Sequence, residues 1–98
     1  MTTLHVINHS PFGDNRLDSC LRLLGADDAL LLCGDAVYAL RPGSEPLRKL
    51  QAAGLQGRLF ALAEDLQARA IDSTLAQTVD YPAFVELSLH HDKVNSWL

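Results

Sequence analysis

Basic side chains are scarce in this sequence. Eight Lys and Arg, scattered along the chain, face twelve Asp and Glu, for a formal net charge of −4 at pH 7. Charge-driven contact with a nucleic-acid backbone needs clustered cations, so direct nucleic-acid binding is not expected. No apolar run approaches the ~20 residues that cross a membrane, and Met1-Thr2-Thr3-Leu4 lacks a basic region followed by a signal-type apolar stretch. The expectation is a cytoplasmic protein without membrane contact. Its two cysteines, Cys20 and Cys33, are then expected to stay reduced, and their spacing resembles neither a redox pair nor a zinc pair. Also missing are G-x-G-x-x-G, a P-loop lysine motif, H-E-x-x-H and G-x-S-x-G, which disfavours nucleotide and zinc chemistry. No cofactor and no metal is expected.

Apolar material, by contrast, is plentiful: 48% of the 98 residues are hydrophobic and only 20% charged. Residues 1–98 fit one domain, and at this size a chain buries only about 60–65% of its unfolded surface. The apolar supply exceeds what such a core needs, which points to an oligomer or a subunit. The run Ala29-Leu30-Leu31-Leu32-Cys33 is apolar throughout, as in a central parallel strand covered on both faces. Gly34-Asp35 breaks it, Gly34 by access to positive φ and Asp35 by bonding the following turn.

Further elements follow from local signals. Leu4-His5-Val6-Ile7 reads as the first strand, ended before Pro11. In Asn15 to Leu24, Leu17, Cys20, Leu21 and Leu24 form the stripe of an amphipathic helix that Gly25 ends. Val37 to Leu40 reads as a third strand. Ser44 is the N-cap of a helix through Ala53, with Pro46 in its first turn. Arg58 to Leu62 is a fourth strand, Glu64 to Ala70 a short helix and Gln77 to Asp80 a last short strand. A C-terminal helix starts near Asp80 and Pro82, with Tyr81, Phe84, Val85, Leu87, Leu89, Val94 and Leu98 spread over more than half its circumference. Alternating strands and helices predict a three-layer α/β fold, with a mostly parallel sheet of four to five strands and right-handed crossovers.

Polar residues gather at the expected carboxyl ends of the strands, where open α/β sheets bind ligands: His9 and Ser10, Gly34 and Asp35, Glu64 and Asp65, and Asp80. Loops there are polar in any case. Cys20 is the one candidate nucleophile, but its stripe neighbours are leucines and burial raises a thiol pKa. Cys33 ends an apolar strand and reads as core. His90 and His91 point about 100° apart on a helix and cannot clamp a metal from one face. His5 and His9 straddle a strand and a loop. His91 falls in the apolar arc as an interface or packing residue, and Trp97 offers a large apolar body with one donor, suited to a partner surface.

The segments Leu4-His5, Asn8-His9-Ser10-Pro11-Phe12, Ser19-Cys20-Leu21, Gly34-Asp35-Ala36-Val37-Tyr38-Ala39, Glu64-Asp65-Leu66-Gln67-Ala68-Arg69, and Asp80-Tyr81-Pro82-Ala83-Phe84-Val85 through Ser96-Trp97-Leu98 together resemble the TusB/DsrH family, nearly end to end. The resemblance implies a small flavodoxin-like subunit, non-catalytic or auxiliary within a sulfurtransferase complex. It implies assembly with TusC/DsrF-like and TusD/DsrE-like subunits as a dimer of heterotrimers. Through such a complex, persulfide sulfur passes from a TusA-like donor to a TusE-like acceptor for 2-thiolation of the tRNA wobble uridine. Cys20 matches the position where DsrH-type members carry a cysteine, so the resemblance makes it a candidate persulfide carrier, with sulfur oxidation as the alternative setting. His91, Val94, Trp97 and Leu98 are the expected partner contacts. A small α/β module for an anionic ligand is a third reading, weakened by the acidic balance.

Overall fold

The computed structural model describes residues 2–97. Five parallel strands, β1 (Thr3–Ile7), β2 (Ala29–Leu32), β3 (Leu59–Leu62), β4 (Gln77–Val79) and β5 (Lys93–Trp97), form one sheet in the order β4-β3-β2-β1-β5. The helices are α1 (Arg16–Leu23), α2 (Glu45–Ala52), α3 (Ala63–Ala68) and α4 (Tyr81–Leu89), and a 3₁₀ segment covers Gly34–Leu40. Strands β2 and β3 are buried at every position, as their unbroken apolar runs require in a sheet covered on both sides.

Strand order dictates which face each helix covers. The three steps from β1 to β4 all move one strand in the same direction, so right-handed crossovers put α1, the 3₁₀ segment, α2 and α3 on one face. There Ile7, Leu30, Leu32, Leu59 and Ala61 pack with Leu17, Cys20, Val37, Leu40, Leu50 and Leu66. The step from β4 to β5 runs back across the sheet, which places α4 alone on the other face. Leu4, Leu31, Phe60, Leu62 and Val79 meet Ala83, Phe84 and Leu87 there.

Two helix starts follow their local chemistry. Ser44 Oγ accepts the Leu47 N–H at 3.3 Å ahead of α2, and an Asp80 carboxylate oxygen accepts the Ala83 N–H at 2.9 Å ahead of α4. Both helices carry Pro in the first turn, where its missing N–H is no loss.

Two sequence expectations need correction. Val37 to Leu40 is not a strand but the end of the 3₁₀ segment. Gly34 turns the chain with φ of +53°, and a Cβ there would lie 3.1 Å from the Asn8 carbonyl oxygen. After so short a link the next strand could only run antiparallel, whereas this sheet is parallel. Ala36, Val37, Ala39 and Leu40 are nonetheless buried, and a short apolar run cannot tell a buried strand from a buried helical turn. The C-terminal helix, in turn, ends at Leu89, and Lys93–Trp97 is a strand pairing in parallel with β1, from Thr3↔Lys93 to Ile7↔Trp97. Asp92 fixes that return: its carboxylate accepts the Thr2 N–H, its own N–H reaches Thr2 Oγ1, and the Lys93 N–H reaches the Thr2 carbonyl. The wide apolar arc thus combined a helix with an edge strand.

Candidate functional site

Cys20 lies on the sheet-facing side of α1, fully buried with 0% exposure, in the cluster that holds Leu17, Leu30 and Leu50. Burial, with a smaller contribution from the Asp28 carboxylate, pushes its thiol up to about 12. The thiolate is the nucleophile in sulfur transfer, so this residue has neither the ionisation nor the access such chemistry needs. Cys33, just after β2, is half-buried against the opposite face, and its Sγ–H donates to the Ile7 carbonyl at 3.6 Å. Burial raises its pKa first, and the Asp65 carboxylate adds to the effect. The sheet separates the two thiols.

At the carboxyl ends of β2 and β3 the structure brings together part of the expected polar set. An Asp65 oxygen accepts the Gly34 N–H at 2.8 Å. Arg69 binds Asp35 through Nη2 at 2.9 Å and through Nε at 3.2 Å, while its Nη1 reaches the Asp65 carbonyl at 3.1 Å. The hydrogen bond to Asp35 is the main cause of a raised Arg69 pKa. Arg41 and Arg69 lie 4.9 and 5.7 Å from the Tyr38 ring centre, both within cation–π range. The carboxylates here are matched by cations and backbone donors, which leaves a latch between the 3₁₀ segment and α3. Other members of the set act locally: Ser10 Oγ accepts the Phe12 N–H, Asp80 caps α4, and His9 and Glu64 face solvent. Sequence reading missed Arg69, although its i,i+4 spacing from Asp65 was a usable signal.

The C-terminal residues divide. His91 Nδ1 donates to the Leu87 carbonyl at 2.9 Å, closing α4. Val94 is exposed on β5, on the face where its neighbour Leu4 points. Trp97 packs against the α1 side of the sheet and donates its Nε1–H to His5 Nδ1 at 3.1 Å. His5 is buried, and its Nε2 lies 3.3 Å from an Asp28 oxygen. Indole N–H is only a donor, so His5 Nδ1 is the acceptor and Nε2 carries the proton toward Asp28. Asp28 also accepts the Gly25 N–H at 2.8 Å and the Thr3 N–H at 3.0 Å. These bonds, the one from Gly25 foremost, hold its pKa below 3.8. This Trp97–His5–Asp28 chain spans β5, β1 and the turn before β2, a separation no sequence window covers. Leu98 lies outside the described residues.

On the α4 side the polar set gives way to apolar surface. Tyr81 and Val85 are each 56% exposed and Leu89 is 79% exposed. They follow one another at i, i+4 and i+8, a single ridge on the outer side of the helix. No helix among the described residues is long and apolar enough to cross a membrane.

A family model described as "DsrH like protein" matches residues 9–94. The chain belongs to the DsrH-like family. Among curated relatives of this DsrH-family chain, "Protein TusB" of Erwinia tasmaniensis is 37% identical, with 96% of this chain and 99% of the relative aligned. "Protein TusB" of an Enterobacter species is 33% identical over the same shares. The crystal structure of the ychN protein from Escherichia coli superposes with a TM-score of 0.75 at 21% identity, covering 99% of this chain and all of the other. That likeness concerns the fold.

Proposed function

We propose that this chain is a TusB-like subunit of a sulfur-relay complex that supports 2-thiolation of the tRNA wobble uridine, and that it acts by assembly rather than by carrying sulfur. The observation that carries this reading is the contrast between a buried, un-ionised Cys20 and an apolar helix left facing solvent. A sulfur carrier needs the reverse. Family membership and the TusB relatives support the choice of pathway. In this reading the chain works in the cytoplasm beside TusC/DsrF-like and TusD/DsrE-like subunits, in a dimer of heterotrimers. A TusA-like donor delivers sulfur to the complex and a TusE-like acceptor removes it. The subunit itself is non-catalytic or auxiliary and touches no nucleic acid. Val94 on the exposed edge strand and His91 at the end of α4 mark the C-terminal side of the proposed contact, whereas the Trp97 indole turns to the α1 side and supports the edge strand.

Deletion of the gene and complementation test the proposal. Loss of the chain is expected to lower 2-thiouridine in bulk tRNA, measured by mass spectrometry of nucleosides, and Cys20→Ala is expected to restore it. Unchanged 2-thiouridine in the deletion strain refutes the pathway. Failure of a folded Cys20→Ala protein to restore it favours the persulfide-carrier reading of the DsrH type.

A further inference from the structure

The second face of the sheet is under-covered. A parallel sheet ordinarily buries both faces, yet this one carries four helical segments on one side and α4 alone on the other. Five strands span roughly 19 Å between the outer strand axes, and a helix with its side chains is about 10 Å wide. Val6 is accordingly only half-buried, and Val94 and Ser96 beside it are exposed. No α4 residue is fully buried, and its sequence, Tyr-Pro-Ala-Phe-Val-Glu-Leu-Ser-Leu, is apolar almost all round. A helix of that kind belongs inside something. The Tyr81–Val85–Leu89 ridge fits a groove on a second protein surface, with an exposed aromatic of the type that anchors interfaces.

Charge identifies the occupant. Along residues 80–93 the exposed acids are Asp80, Glu86 and Asp92, against Lys93 as the one Lys or Arg. Glu86 points about 100° away from Val85 and flanks the middle of the ridge, with His90 Nε2 4.0 Å from its carboxylate, so a two-fold pairing of α4 with another copy would bring a second acid-flanked ridge against the first. Two copies also bring together two chains of net charge −4 each. Like charges brought face to face disfavour a partner, and opposite ones select it.

We propose that the α4 ridge is the docking surface for a different subunit of the relay complex, one that presents an apolar groove rimmed by Lys or Arg. This rests on the subunit reading above and deepens it by naming the surface and the chemistry of its partner. The test is co-expression with the TusC-like and TusD-like subunits of the same genome, followed by size-exclusion chromatography and titration of the purified components. Val85→Glu and Leu89→Glu are each expected to weaken the complex at least tenfold. Glu86→Arg should weaken it several-fold, and raising salt should weaken the wild-type complex. Leu23→Glu, at a 68% exposed leucine on α1, is expected to leave it intact. All four positions are exposed, and circular dichroism melts check that the variants fold. Loss of hydrogen exchange along 81–89 in the wild-type complex provides a readout that needs no variant. Full-strength complexes with both ridge variants, tighter binding by Glu86→Arg, or a ridge-dependent homodimer in place of the mixed complex each overturn the docking proposal while leaving the pathway standing. No complex with either subunit overturns the subunit reading and the dock together.

Discussion

Cys20 provides the sharpest test of how structure and family resemblance combine. Its pKa is pushed from 9.0 up to about 12, so at pH 7 the thiolate fraction falls from about one in a hundred to about one in 10⁵. Attack on a persulfide or an alkylating agent is therefore slowed about a thousandfold by ionisation alone, before access is counted. Reaction then proceeds through opening of α1, and the rate reports that opening rather than native chemistry. Cys20→Ala removes one heavy atom from a packed cluster and is expected to cost about 1–2 kcal/mol. Cys20→Ser keeps the volume but puts a hydroxyl among leucines, at about 1–3 kcal/mol for the unpaired polar group. The assay is iodoacetamide labelling followed by peptide mass spectrometry in native buffer and in denaturant, with thermal melts of the three proteins. Cys33, half-exposed, is the internal reference and should label first. The same measurement is repeated after incubation with a persulfidated TusA-like donor. Rapid gain of one reducible sulfur atom on Cys20 in the folded, assembled protein refutes this reasoning, as does a Cys20→Ser variant as stable as wild type.

Three further outcomes follow from particular contacts. Asp28, whose pKa is lowered below 3.8 chiefly by the Gly25 N–H, stabilises the fold when charged; its contribution is complete above about pH 5 and is lost as pH falls through 3.8 and then through the lower folded value. Asp28→Asn should accordingly lower stability at neutral pH by about 1–3 kcal/mol and flatten the acid side of the stability profile, measured by urea melts from pH 3 to 7. Trp97→Phe keeps an aromatic ring, though a smaller one, but leaves buried His5 Nδ1 without its donor, a loss of about 1–3 kcal/mol, and nitrogen NMR of His5 should show the Nε2-protonated tautomer weakened; an unchanged spectrum removes the Trp97–His5 bond from the account. Ala70 holds φ at +53° where α3 ends, with the Ile71 N–H bonded back to the Leu66 carbonyl, so Ala70→Gly should raise stability by about 0.5–1 kcal/mol in the same melts.

Strands β1 to β4 and helices α1 to α3 were legible because their signals are local: an apolar run, a 3.6-residue stripe, Ser44 followed by Pro46, Gly25 after Leu24. The capping role of Asp80 was legible for the same reason. What escaped was whatever depends on the rest of the molecule. Val37 to Leu40 had strand-like composition, and only the parallel topology of the sheet determines that it must coil as the end of the 3₁₀ segment instead. The strand β5 was hidden because four of its five residues are exposed, which erases the apolar alternation that identifies a half-buried strand. Its identity is set by β1 and by Thr2, some ninety positions earlier.

That misreading also bears on function. Placed on one helix, Tyr81, Phe84, Val85, Leu87, Leu89, Val94 and Leu98 form a single broad apolar arc that does not separate a packed face from an open one, and the expected partner contacts fall at its C-terminal end, on His91, Val94, Trp97 and Leu98. The structure sorts them. The indole of Trp97 crosses to the α1 side of the sheet and is tied to His5, so its apolar body supports the edge strand. Tyr81, Val85 and Leu89 remain together on the outer ridge of α4, while Val94 shares the adjoining open sheet face. Among the described residues, four of the seven exposed large apolar side chains, Tyr81, Val85, Leu89 and Val94, therefore lie together on the face opposite Cys20, while Phe12, Leu23 and Leu75 are not part of that group. A contact made there leaves the buried thiol untouched, which is why loss of assembly and loss of a thiol are separable experiments in this chain.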